Sequence, residues 1–186
     1  YRRQRQMCIR DSNNIMRWTV SGVRNDSTTS LQSFYWRDTL PTDAVRLTRL
    51  VTGTYSTMQT YKVTFTTNLN SQWRTAYDNL STAKNYTLDM SSAALGLASN
   101  EYVTQFMLSF GIVPAGFHQL TNATVDAQTL YALTNGYKFT NKADVGGLLG
   151  GNWVQSIARW TTSIYSHYVP AKPAAPKSPT LPRTGY

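Results

Sequence analysis

Hydrophobic and polar residues alternate along most of this chain with a period of two, and that period predicts strands. Residues 60–67, TYKVTFTT, are the cleanest case, with Tyr61, Val63 and Phe65 turned to a core and Lys62, Thr64 and Thr66 away from it. Residues 15–23 place Met16, Trp18 and Val20 on one side. Residues 33–40 set Phe34 and Trp36 against Tyr35 and Arg37, and Pro41 ends that strand because it has no N–H to give a ladder. In residues 45–55, Val45, Leu47, Arg49 and Val51 alternate with Arg46, Thr48 and Leu50. Shorter strands are expected at 73–77 and 86–89, and longer ones at 101–113 and 137–145. Residues 122–133 fit a strand or a short helix. Residues 153–168 carry both a helical face and a strand alternation, and their aromatic and β-branched residues favour strand.

Turn residues punctuate these runs. They cluster at 24–30, 68–71 and 79–85, at Asn135-Gly136, and at the glycines 146, 147, 150 and 151, which read as a loop. One short helical turn is expected near 91–100, where Ser91 offers an N-cap and alanines and leucines follow. Short strands broken every eight to twelve residues predict an all-β antiparallel sandwich rather than a βαβ fold. Composition agrees, since threonine and aromatics suit a pleated surface and Glu101 is the single glutamate. No run reaches the ~18 apolar residues of a membrane helix, so no membrane span is expected in the chain.

The two ends differ from the body. Residues 169–186 hold five of the seven prolines, two lysines and an arginine, and no acid. Such a segment cannot join a sheet, and reads as an extended, semi-rigid spacer. Its end, Leu181-Pro182-Arg183-Thr184-Gly185, resembles the LPxTG sorting signal of Gram-positive surface proteins. The resemblance implies a sortase and peptidoglycan as partners. Leu181 and Pro182 would fill the sortase groove, Arg183 would be the free position, Thr184 would supply the acyl group and Gly185 would leave. The family pattern continues beyond the glycine into an apolar span and a basic stop. At the other end, residues 2–11, RRQRQMCIRD, resemble the translation of a sequencing-library adapter, which sets residues 1–12 outside the native body and places the native start upstream.

That division changes the charge. Arg2, Arg3, Arg5 and Arg10, offset by Asp11, account for three of the nine formal positive charges; Lys172, Lys177 and Arg183 carry three more. Residues 12–168 then sit near +3, an ordinary surface charge, and no nucleic-acid partner is expected. The only cysteine, Cys8, lies in the adapter-like run, so the body has neither disulfide nor thiol chemistry. About 155 residues, 13–168, remain for one sandwich domain.

Three stretches of that body resemble a Gram-positive surface-domain family related to the repeat known as domain of unknown function 11. They are residues 20–41, VSGVRNDSTTSLQSFYWRDTLP; residues 113–117, VPAGF; and residues 137–147, YKFTNKADVGG. Asn25, Asp38-Thr39-Leu40-Pro41 and Asn141 to Val145 stand where that repeat has its turn Asn, its D-x-LP and its N-x-A-x-V strand. The family implies an immunoglobulin-like stalk or display module. Asp38 is expected to accept backbone bonds from the turn after its strand, Leu40 to plug the end of the sandwich, Pro41 to stop the strand, and Asn141 to bond backbone.

Catalytic chemistry finds little support. His118 and His167 have no metal-ligand spacing to another His, Cys or carboxylate, and the glycines at 146–151 lack a following Lys-Ser/Thr, so no metal or cofactor is expected. Nothing recommends a carboxylate pair among Asp38, Asp78, Asp89 and Glu101. A Lys–Asn cross-link promoted by a buried acid has one available trio, Lys62, Asn141 and Asp38, with Lys62 on the polar side of its strand. Exposed aromatics are the other route to function. Trp36, Trp73, Trp153 and Trp160 are candidate contacts for a glycan or matrix ligand, set against the need of an aromatic-rich sandwich for large core residues. The reading is a non-enzymatic, wall-anchored display domain, with a glycan- or matrix-binding module as the alternative.

Overall fold

The computed structural model describes residues 5–10, 14–130 and 133–163. The expected spacer at 169–186, with the whole LPRTG motif and His167, lies outside the described residues.

The described chain is an all-β, antiparallel sandwich. Its strands are β1 (Arg5–Arg10), β2 (Ile15–Ser21), β3 (Leu31–Thr39), β4 (Val45–Val51), β5 (Thr54–Tyr55), β6 (Thr60–Thr67) and β7 (Arg74–Ser81). There follow β8 (Thr87–Asp89), β9 (Val103–Val113), β10 (Gln119–Thr121), β11 (Ala123–Thr129), β12 (Lys138–Leu149) and β13 (Asn152–Ser163). One sheet runs β1-β2-β11-β4-β8, the other β13-β12-β3-β9-β6-β7, and β5 pairs with β10.

The inner faces are the apolar faces of the alternation. Met16, Trp18 and Val20 of β2 and Val125 and Ala127 of β11 are buried from one sheet. Phe34 and Trp36 of β3, Phe106 and Leu108 of β9, and Tyr61, Val63 and Phe65 of β6 are buried from the other. Five aromatic rings, of Phe34, Tyr55, Tyr61, Phe110 and Phe117, pack at one end with centroids 4.8–6.1 Å apart.

Two elements differ from their sequence expectation, one left open is settled, and the turn expected near 91–100 is found. Strand β4 carries an extra residue, so its register against β11 shifts between Asp126 and Ala127. The alternation therefore breaks at Thr48: Val45, Leu47 and Leu50 turn inward, while Arg49 and Val51 do not share their face. Strand β12 continues through Gly146 and Gly147, and the turn falls at Gly150-Gly151, both at positive φ. Residues 123–129 settle as strand β11. The stretch near 91–100 makes a single turn, in which Leu95 N–H donates to Ser91 O over 3.1 Å and Ala94 N–H to Ser91 Oγ over 3.3 Å. Ser91 thus caps a turn that goes no further.

Residues 5–10, set outside the body by sequence, pair antiparallel with β2 from Arg5↔Ser21 to Arg10↔Met16. The outer edge of β2 presents unpaired backbone groups that an extended segment nearby can satisfy.

Candidate functional site

The outer face of the six-stranded sheet carries a groove of about 690 Å³. Cross-strand registers build its floor. Gln155, Gly146, Tyr35, Ser109 and Lys62 fall on one rung across β13, β12, β3, β9 and β6. The next rung carries Ile157, Asp144, Arg37, Met107, Thr64 and Thr75. Side chains on a rung point to the same face, so both rows look outward.

A buried carboxylate fixes this floor. Asp144 is fully buried although it lies on the outer face. It accepts from Tyr35 Oη at 3.0 Å, from Arg37 Nε and Nη2 at 3.0 and 2.8 Å, and from Gln155 Nε2 at 2.7 Å. Four charge-assisted bonds to one carboxylate hold three side chains in place at once. Burial, and then the Asp144 charge, push the Tyr35 hydroxyl up to about 12, so it stays a donor. The hydrogen bond to Asp144 raises the Arg37 guanidinium further above its ordinary value. Gly146 makes room for the ring above it: a Cβ there would stand 2.5 Å from Val154 O and 2.9 Å from Tyr35 Oη. Tyr35 then meets Trp153 edge-on, with centroids 6.2 Å apart at 64°, and the Arg37 guanidinium carbon lies 5.4 Å from the Tyr35 centroid.

Two indoles line the groove from opposite ends of the sheet. Trp153, 64 % exposed, stands on β13; Trp73, 39 % exposed, precedes β7. Lys62 and Asp78 are exposed groove residues on the adjacent strands β6 and β7. Asp78 Oδ1 accepts from Asn79 N–H over 2.7 Å, and Asn79 takes a positive φ of 53°.

Of the four tryptophans singled out by sequence, the groove thus gathers Trp73 and Trp153. Trp36 is corrected to a core residue: it is fully buried, and its Nε1–H donates to Tyr55 Oη over 2.8 Å. Trp160 is 39 % exposed but pairs in register with Asn141, whose side chain faces the interior, so it stands on the other side of β13 from the groove. Tyr35, Arg37 and Asp144 were not singled out as ligand contacts. The polar face of β3 in the sequence pattern was the available signal for Tyr35 and Arg37; nothing local marked Asp144.

The D-T-L-P positions do not line the groove. Asp38 and Asn141 are fully buried, and Asn141 Nδ2 donates to Asp38 Oδ2 over 2.8 Å, so Asn141 bonds a side chain where backbone was expected. Leu40 is buried, and Pro41 O accepts from Ala44 N–H and Val45 N–H at 2.9 and 3.1 Å. Lys62 is exposed on the outer face while Asp38 and Asn141 face inward, so the cross-link trio is not assembled. None of the described lysines is buried.

Among the described residues no three His, Cys, Asp or Glu side chains cluster as a metal site would require. His118 is exposed, its Nδ1 2.9 Å from Gly116 O. Glu101 and Asp89 are held below the ordinary carboxylate range, the first by the Thr67 hydroxyl and Arg74, the second by Ser91. No described helix is long and apolar enough to cross a membrane.

No family model and no curated protein matches the chain. Among solved structures, it is similar to the C-terminal domain of the Streptococcus agalactiae AgI/II polypeptide BspA, at TM-score 0.39 and 11% identity. That match covers 83% of this chain and 43% of the streptococcal one, so the chain spans less than half of it. It is also similar to ACE19, the collagen binding subdomain of the Enterococcus faecalis surface protein ACE, at TM-score 0.40 and 10% identity, over 88% of this chain and 98% of that one.

Proposed function

We propose that this chain is a non-enzymatic display module of a Gram-positive surface protein, held outside the cell by sortase attachment, and that its outer-face groove binds a ligand. The groove carries the reading. Two exposed indoles stand over a floor whose polar side chains are locked by Asp144, an arrangement a plain spacer domain has no use for. A pre-fixed surface of this kind binds without first spending entropy on ordering itself. The Pro-rich residues 169–186 supply the tether, and Leu181 to Gly185 the signal.

Attachment has its own chemistry. The sortase cysteine would attack the Thr184 carbonyl, breaking the amide to Gly185 and releasing the segment that begins at Gly185. A peptidoglycan amine would then take the Thr184 acyl group from the thioester. Incubation of the chain with a sortase and triglycine tests this. The expected product has lost Gly185-Tyr186 and gained the triglycine, and Thr184→Ala abolishes it; an unchanged mass overturns the attachment. The binding half is tested by measuring saturable binding to immobilised glycans and matrix proteins, with wild type against Trp153→Ala. No saturable binding to either class would leave a plain stalk.

A further inference from the structure

Resting on the reading of the groove as a binding site, we infer that its ligand is a neutral oligosaccharide lying across the strands from Trp153 to Trp73.

The first argument is what the floor can offer. The strands beneath it, β12, β3, β9 and β6, are paired on both sides in the sheet. Their backbone groups are used in the ladders, so a ligand here cannot be bound by strand addition, and side chains must do all the recognition. A peptide would leave its own main-chain donors and acceptors to be met by scattered hydroxyls. A sugar presents hydroxyls that both donate and accept, which suits Ser33, Thr60 and Ser109 of the lining.

The second is charge. Arg37 is committed to Asp144 at 2.8 Å, which leaves Lys62 and Asp78 as the remaining charged lining residues, one of each sign. An acidic glycan or an anionic peptide gains little from a lining that sums to zero. An ammonium and a carboxylate on neighbouring strands instead form charge-assisted bonds to neutral hydroxyls.

The third is shape. Trp153 lies on one outermost strand of the six and Trp73 immediately precedes the other, so the path between them crosses five strand intervals, roughly 24 Å at ~4.8 Å each. Indole faces pack against the C–H faces of pyranose rings, and Ser109 on the first rung keeps the floor low between them. A chain of several sugar rings can therefore rest an end on each indole while its hydroxyls meet the middle.

The test uses the full chain and titrates neutral gluco-, galacto- and N-acetylglucosamine oligosaccharides of two to six units by calorimetry. Hyaluronan, a sialylated oligosaccharide and collagen are run beside them. Saturable binding of a neutral series is expected, strengthening with length and weakened at least tenfold by Trp153→Ala and by Trp73→Ala. Trp160→Ala, which lies off the groove, is expected to change it less than twofold. Thermal melts of each variant separate lost binding from lost folding. Binding of the acidic glycans alone, dependent on Trp153, would overturn neutrality while leaving the groove as the site. Binding of collagen alone, again dependent on Trp153, would overturn the sugar class. No binding, or binding that neither tryptophan affects, would overturn the groove itself.

Discussion

Asn141 Nδ2 donates to Asp38 Oδ2 over 2.8 Å at a point where both side chains are fully buried. The pair joins β12 to β3 on the inner face, beside Ala143 and Phe106, which are fully buried too. Burial raises the Asp38 carboxyl to about 7, against the smaller opposing effect of the Asn141 bond. The folded state therefore prefers Asp38 protonated. Its contribution to stability is fully present below the unfolded value near 4 and is lost as pH rises through about 7. Asp38→Asn, which keeps the shape and cannot ionise, is expected to be more stable than wild type at pH 8, by on the order of 2 kcal/mol. The difference should shrink toward pH 4. Urea unfolding of both proteins from pH 4 to 8 measures it; a difference independent of pH would sink the assignment.

Tyr55 is the hinge of the core's polar bonding. Its hydroxyl accepts from Trp36 Nε1–H and donates to Thr52 O, both over 2.8 Å. Burial holds the phenol well above its usual range, so it remains a donor at any ordinary pH. Tyr55→Phe removes one oxygen and strands a buried indole N–H and a buried carbonyl. A loss of about 1–3 kcal/mol is expected, with no cavity to explain it. Unfolding by denaturant reads the loss, and an unchanged midpoint would mean that water replaces the hydroxyl.

Much of this was legible in the sequence, and the limits have physical causes. Strand β6 is found where TYKVTFTT placed it, with Tyr61, Val63 and Phe65 buried as expected, although Thr64 and Thr66, set away from the core by sequence, are buried as well. Strand β4 defeated the same rule at Thr48, since a bulge adds a residue without changing composition, and Leu50 exchanged faces with Arg49. Gly146 and Gly147 looked like a loop because glycine weakens a strand. Here the crowding of Val154 O and the Tyr35 hydroxyl is what requires Gly146. The groove was half legible. Trp73 and Trp153 were chosen for being tryptophan, and so was Trp36, which the core claimed. Asp144 could not be found locally, because Tyr35 and Arg37, which bind it, are more than a hundred positions away in sequence.

Asp126 gives the opposite pH dependence from Asp38. It lies on the outer face of the five-stranded sheet, where Arg17 Nε donates to Oδ1 at 2.7 Å and Arg49 Nη2 to Oδ2 at 2.7 Å. Burial pushes this carboxyl up, but the bonds from Arg17 and Arg49 outweigh that and hold it below its ordinary value. Its stabilisation is present above the unfolded value near 4 and is lost as pH falls through the folded one. Asp126→Asn should cost on the order of 2 kcal/mol at pH 7, since it also leaves two guanidinium groups facing each other. Both arginines are nearly half exposed, which keeps the figure from being larger. The cost should shrink steadily as pH falls below about 4. A cost that does not shrink would assign it to packing.

Gly146 links the fold to the groove, and a single methyl group tests the link. The added Cβ of Gly146→Ala would meet Val154 O at 2.5 Å and Tyr35 Oη at 2.9 Å. The carbonyl belongs to the partner strand β13 and cannot leave without breaking the β12–β13 ladder. The tyrosine can rotate, but only by giving up its bond to Asp144. Either response disturbs the floor: the first shifts β13 and Trp153 with it, and the second removes the ring that Trp153 packs against. The expected loss is about 1–3 kcal/mol, the usual scale of overpacking. Tyr35→Phe separates the two responses. It removes the bond to Asp144 and the nearest side-chain atom to the new methyl, and leaves the ring in place. If rotation of Tyr35 is how the sheet absorbs the methyl, Gly146→Ala costs clearly less in the Tyr35→Phe background than alone, by a double-mutant cycle read from urea unfolding. Additive losses would place the strain in the ladder instead, and the fluorescence of Trp153 should then shift in the single Gly146→Ala variant.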